Sequence, residues 1–129
     1  MSNMTRYLPF LGRLLIGGIF ALSGFAKLSA YGPTTAEIAH AGLPFPPLAF
    51  AVAVIVELGF GLLLVIGFRA RLVALVLAIW CVVTAVFFHT NFADQMQMIN
   101  FVKNLMIAGG LLQIVHFGAG AISVDARRT

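Results

Sequence analysis

Residues 48–68 read LAFAVAVIVELGFGLLLVIGF, and how this stretch is read decides the fold. It is apolar apart from Glu57 at its middle. At a helical rise of about 1.5 Å per residue, a run of this length covers a hydrocarbon core roughly 30 Å thick. A segment in lipid must satisfy its own backbone hydrogen bonds, so the run is expected to be a helix. The remaining acidic residues, Glu37, Asp94 and Asp125, all lie outside the long apolar runs. A carboxylate at mid-membrane depth costs on the order of 2.5–3.5 kcal/mol even on lenient insertion scales, so Glu57 calls for a cation on another helix.

Outward from this stretch, apolar runs stand at about 8–28, 47–68, 72–90 and 98–118, each near the roughly 20 residues a span needs. Hydrophobic residues make up 61% of the chain and charged residues 9%, against averages of about 45–50% and about 25% for soluble domains. The expectation is an all-α four-transmembrane-helix bundle, a single integral membrane domain over residues 1–129. The net charge of +4 does not indicate nucleic acid, because the basic residues stand at the ends of apolar runs or inside them, not on a polar face. One cysteine, Cys81, allows neither an internal disulfide nor a Cys-x-x-Cys pair. The first run with Arg6 ahead of it has some features of a signal peptide. Arg13 interrupts its apolar centre and three more runs follow, so it is read as a span.

The short connections set the orientation. Arg6, the pair Arg69 and Arg71, and the pair Arg127 and Arg128 all fall on one side, while the loops at about 29–46 and 91–97 carry no lysine or arginine. By the positive-inside rule both termini are expected in the cytoplasm. In the first outer loop, Pro33 suits a helix start and Gly42 a stop. A short interfacial helix is expected there, followed by the stiff segment Leu43-Pro44-Phe45-Pro46-Pro47. Glu37 and His40 read as solvated. Gly118-Ala119-Gly120 ends the fourth helix, and residues 119–129 are expected to form a flexible cytoplasmic tail.

Helical spacing puts Arg13, Gly17, Phe20, Ala21, Gly24 and Lys27 on one face of the first run. Ala49, Ala53, Glu57 and Gly61 recur every four residues in the second, and Ala74, Ala78, Cys81, Ala85 and His89 share a face of the third. In the fourth, Gln97, Asn100 and Asn104 form a polar stripe beside Lys103, ahead of Ala108, Gly109 and Gly110. Small residues let membrane helices approach closely, which assigns Gly17, Ala21, Gly24, Ala53, Gly61, Ala78, Gly109 and Gly110 to helix packing. Arg13, Lys27, Glu57, His89, Lys103 and Asn104 form the candidate buried polar cluster, as ion pairs or as a ligand site. His89 with Met96 and Met98 is a soft donor set of the kind Cu(I) favours. Two thioethers and one imidazole are too few to define a site, and no metal is expected.

By helical rise, Arg13 lies on the cytoplasmic side of Glu57 and Lys103 on the outer side, each about 6–8 Å away along the membrane normal. Glu57 is therefore expected to pair with Arg13, Lys103 or both. Lys27, nearer the outer end, is placed to snorkel toward the headgroups. More bases than acid leaves a positive interior toward the outer half, suited to an anion, a quinol-like oxygen or a lipid headgroup.

Taken in order, several pieces of the chain resemble the DoxX family of small bacterial membrane proteins. They are Arg13 and Phe20, the run Ser23-Gly24-Phe25-Ala26-Lys27-Leu28, and Glu57 ahead of Gly61-Leu62-Leu63-Leu64 and Gly67. Arg71, Ala74, Phe88-His89, Lys103-Asn104, Gly109-Gly110 and the tail Gly118-x-Gly120-x-x-Ser123-x-Asp125 follow. The resemblance implies a four-helix protein of the bacterial inner membrane, with Arg13, Lys27, Glu57, His89, Lys103 and Asn104 at polar family positions. Some members are subunits of thiosulfate:quinone oxidoreductase, others are partners in redox or oxidative-stress complexes, and many have no known activity.

Three functions follow. The first is an accessory or anchoring subunit of a quinone-linked membrane complex. It would carry no intrinsic cofactor, bind quinone, and take electrons from a soluble or membrane oxidoreductase partner. The second is a small transporter or a lipid- or anion-binding module, which with four helices needs a homo-oligomer or a partner. The third is a structural membrane protein whose charges fix helix register. In none of them is the chain expected to be catalytic alone.

Overall fold

The computed structural model describes residues 3–128. Among them there is no strand, and four helical stretches are long and apolar enough to cross a membrane: Met4–Leu28, Pro46–Ile66, Ala70–Phe88 and Gln95–Phe117. Their ends differ by a few residues from those expected. Helix α1 (Asn3–Leu28) starts early and continues through Pro9. Helix α6 (Gln95–Phe117) starts at Gln95 because the Asp94 carboxylate accepts a hydrogen bond from the Met96 amide at 3.0 Å, an N-cap.

α1 packs antiparallel to the second span, which comprises α3 (Pro46–Val54), a π-helical turn (Ile55–Phe60) and α4 (Gly61–Ile66). The seam is close enough to need glycine. A Cβ on Gly17 would stand 2.6 Å from the Gly61 carbonyl oxygen, and one on Gly24 would stand 2.5 Å from the Leu58 amide nitrogen. Such contacts leave room only for hydrogen, so they fix both the spacing and the register of the pair. Ala21 and Ala53 are also buried.

α5 (Ala70–Phe88) packs along α6 through buried Ala78, Cys81, Ala85, Ala108 and Leu111. Gly109 and Gly110 do not make the close contact assigned to them. A Cβ on Gly109 would meet nothing within 4 Å, and one on Gly110 only the Ile16 side chain at 3.7 Å. Ala108 and Leu111 face the core instead, which turns Gly109 toward the outside. Leu64, Ala70, Ala74, Leu77 and Leu111 join the two helix pairs in one core.

The π turn explains how the second span keeps one buried face. A repeat of four residues drifts by roughly 40° per step around an α-helix of 3.6 residues per turn. The wider turn at Ile55–Phe60, bonded i to i+5, takes up that drift. Ala53, Glu57, Gly61 and Leu64 are consequently all buried.

The spans do not end level. With Gly24 against Leu58, the end of α1 at Leu28 lies near the level of residue 54, roughly 12 Å inside the start of α3 by helical rise. α2 (Tyr31–His40), the expected interfacial helix, packs against α3 across this step. Ile38 is buried there, and the Tyr31 and Phe50 rings meet edge to face at 4.8 Å.

At the opposite end, which holds both termini, the second span closes in a Schellman turn. Gly67 is left-handed (φ 75°), its amide donates to the Leu64 carbonyl at 3.1 Å, and the Phe68 amide donates to the Leu63 carbonyl at 3.0 Å. The tail, expected to be flexible, is docked on this turn. The Asp125 amide donates to the Gly67 carbonyl at 3.0 Å, and the Asp125 carboxylate accepts from the Arg69 and Ala70 amides at 2.7 and 2.8 Å. Those amides head α5 and have no partner within the helix. A distant residue thus supplies the N-cap of α5, and this is why α5 starts at Ala70 and not at 72. Ser123 caps the short α7 (Val124–Arg127) through the Ala126 amide.

Candidate functional site

Glu57 sits in the π turn with only 6% of its surface exposed. Its carboxylate is held by three donors. On Oε1 it accepts from Lys27 Nζ at 2.7 Å and from the Ser23 hydroxyl at 2.6 Å, and on Oε2 from the Trp80 indole N–H at 3.2 Å. Lys27 Nζ also donates to Ser23 Oγ at 3.2 Å. Ser23 and Lys27 are one turn apart on α1, so a single helical face presents both to the carboxylate.

The cation is therefore Lys27, in place of Arg13 or Lys103. The expected pairing assumed spans that end at one level. Because α1 stops short, its last turn lies beside the middle of the second span, and Lys27 meets Glu57 without reaching for the headgroups. Lys103 is exposed on α6.

Arg13 serves a different site. It is 1% exposed, and its guanidinium donates to the carbonyls of Leu64 at 3.2 Å, Val65 at 3.0 Å and Ile122. The first two belong to the last turn of α4, where a cation complements the negative end of the helix dipole. The third belongs to the tail. Arg13 thus ties α1, α4 and the tail together at the end that holds the termini.

A cavity of about 710 Å³ opens beside Glu57, within the range of small-molecule sites. Ser23, Lys27, Glu57, Trp80, Cys81, Thr84 and Asn104 contribute to its lining, and so do Glu37 and His89. The rest is mostly apolar. Leu15, Ile19, Leu48, Val52 and Phe87 line the cavity and are also exposed on the outside of the bundle, so its wall is continuous with the lipid-facing surface. Ile38 of α2, with Leu43 and Pro44, borders it at the end away from the termini.

Asn104 is held against α5. Its amide donates to the Cys81 carbonyl at 3.2 Å and to Thr84 Oγ1 at 3.1 Å, while the Thr84 hydroxyl donates to the Trp80 carbonyl at 2.9 Å. This network fixes the turn of α5 that carries Trp80. Of the expected cluster, the structure brings Lys27, Glu57, His89 and Asn104 to one cavity and leaves Arg13 and Lys103 outside it. Among the described residues no group of three His, Cys, Asp or Glu side chains is placed to hold a metal.

Sequence reasoning passed over Trp80 and gave Ser23 no role at the carboxylate. The signal for Trp80 was available: it is the single tryptophan, and an indole N–H deep in an apolar span needs an acceptor.

The family model described as DoxX matches residues 8–90, which includes Ser23, Lys27, Glu57 and Trp80. Inner membrane protein YphA of Escherichia coli (strain K12) is 35% identical over 97% of this chain and 99% of its own length. Inner membrane protein YqjF of the same organism is 34% identical over 88% of this chain and 85% of its own length. No solved structure matches the chain. With its four apolar spans, the chain belongs to the DoxX family and is a multi-pass protein of the inner membrane.

Proposed function

We propose that the cavity beside Glu57 binds the headgroup of a quinone-type amphiphile, and that the protein acts as an accessory or anchoring subunit of a quinone-linked redox complex. The observation that carries this reading is a polar triad at the inner wall of an otherwise apolar cavity open to the lipid side. Lys27 Nζ and the Trp80 N–H are donors for a quinone carbonyl, and the Glu57 carboxylate is an acceptor for a quinol hydroxyl. The continuity of the apolar wall with the lipid-facing surface gives an isoprenoid tail a lateral path. These three side chains offer hydrogen bonds and carry no electrons, so the electrons pass to and from a partner oxidoreductase. The arginines at the end that holds the termini orient that end toward the cytoplasm, and the cavity opens in the outer half of the bilayer.

Trp80 makes the test direct, because it is the single tryptophan and lines the cavity. Purified protein in detergent is titrated with a short-chain ubiquinone or menaquinone analogue while indole fluorescence is followed. Saturable quenching is expected, weakened about tenfold or more in Lys27→Met, which loses a charged donor. Linear, non-saturating quenching that is the same in wild type and variant would remove the quinone assignment. Reporter fusions at the two termini test the orientation, and activity of a periplasmic reporter at either terminus contradicts it.

A further inference from the structure

The end of the bundle that holds the termini carries a second cleft, of about 670 Å³, with no role in the Glu57 site. Arg69, Arg71 and Arg128 line it, together with the tail from Gly118 to Gly120 and the apolar side chains of Leu72 and Phe117. The acid in its lining is Asp125, whose two oxygens are already taken by the Arg69 and Ala70 amides. Among the described residues the cleft therefore presents three guanidinium groups against this one carboxylate, so its lining is net positive.

The arginines are held in place. The Arg69 and Arg128 guanidinium carbons stand 5.9 and 5.0 Å from the centre of the Phe68 ring. Arg71 crosses Gly118 so closely that a Cβ there would meet Arg71 Nε at 3.0 Å. Leu72 and Phe117 are 55% and 72% exposed, and both lie at span ends where headgroups give way to acyl chains.

Convergent guanidinium groups beside exposed apolar side chains match one ligand in both its parts. We infer that this cleft is a specific site for an anionic phospholipid, with the phosphate among Arg69, Arg71 and Arg128 and an acyl chain along Leu72 and Phe117. Guanidinium forks bind phosphate oxygens in pairs, and basic pockets at the ends of spans favour anionic lipids. The Arg69 and Ala70 amides at the α5 N-terminus take no part, since Asp125 already caps them. Arg6 lies at the same end, is exposed, and does not line the cleft.

The test is native mass spectrometry of the full-length protein in dodecylmaltoside, titrated with dioctanoyl-phosphatidylglycerol. Dioctanoyl-phosphatidylcholine and inorganic phosphate form parallel arms. The expected result is one tightly retained phosphatidylglycerol, about fivefold weaker for each arginine neutralised and about twenty-fivefold weaker in Arg71→Gln/Arg128→Gln. Arg6→Gln is expected to retain the lipid as the wild type does. Both cleft substitutions fall on exposed side chains, so folding is preserved, and far-UV circular dichroism checks this. Three results would overturn the inference: equal retention of phosphatidylglycerol and phosphatidylcholine, an equal loss in Arg6→Gln, or displacement of the lipid by inorganic phosphate at equal concentration.

Discussion

Consider the pair Lys27–Glu57 cut from each side in turn. At 2.7 Å and an effective dielectric near 20, the gross attraction is about 6 kcal/mol, most of it offset by the cost of taking both ions out of water. Removing one partner leaves the other charged without compensation in a largely apolar site, so each single variant should lose about 3–5 kcal/mol. In Glu57→Gln the Lys27 ammonium loses its anion. In Lys27→Met the carboxylate keeps only Ser23 and Trp80. The double variant should fall short of the sum of the singles by about 2 kcal/mol, the net worth of a charged hydrogen bond. The assay is unfolding by increasing mole fraction of sodium dodecyl sulfate in mixed micelles. Far-UV circular dichroism is the readout, because Trp80 belongs to the site and its fluorescence would report local change. Lys103→Met on an exposed position should stay within about 0.5 kcal/mol of wild type, and Arg13→Gln should add independently to Glu57→Gln. Additive single variants, or a strong coupling of Glu57 to Arg13, would refute the pairing.

Further outcomes follow from the seam and the docked tail. Gly17→Val places a side chain against the Gly61 carbonyl, and should lower stability in the same assay by about 3 kcal/mol or abolish folding. Asp125→Ala uncovers the Arg69 and Ala70 amides and should cost about 1–2 kcal/mol, read as an earlier transition by circular dichroism. Arg13→Gln releases the tail from α1 and should speed proteolytic removal of residues after Gly118 while the spans stay intact. Unchanged cleavage would separate Arg13 from the docking of the tail.

The spans were legible because their length and apolarity are strong signals that little else produces. The face of α1 was legible too, since spacing alone groups Arg13, Gly17, Ala21 and Gly24, all of which are buried. What spacing does not carry is depth. Relative helix depth is set by backbone contacts such as Gly24 on Leu58, and an error of about two turns exchanged Lys27 for Arg13 and Lys103 as the partner of Glu57. The π turn was hidden for a similar reason: the four-residue repeat of Ala49, Ala53, Glu57 and Gly61 was visible, and the widening that makes it a straight face is a property of hydrogen bonding. The docked tail was invisible because Asp125 follows the helix-breaking Gly118-Ala119-Gly120 and precedes two arginines, a setting that reads as solvated chain. Its partners, two backbone amides 55 and 56 residues away, leave no mark in composition.

The remote cap on α5 also bears on how the protein is made. The Arg69 and Ala70 amides are made 56 and 55 residues ahead of Asp125. During biogenesis the third span must be held with its leading amides hydrated or covered by the insertion machinery. The cap is supplied by residue 125, which follows all four spans, so the third span is closed at its leading end only after the fourth has been made.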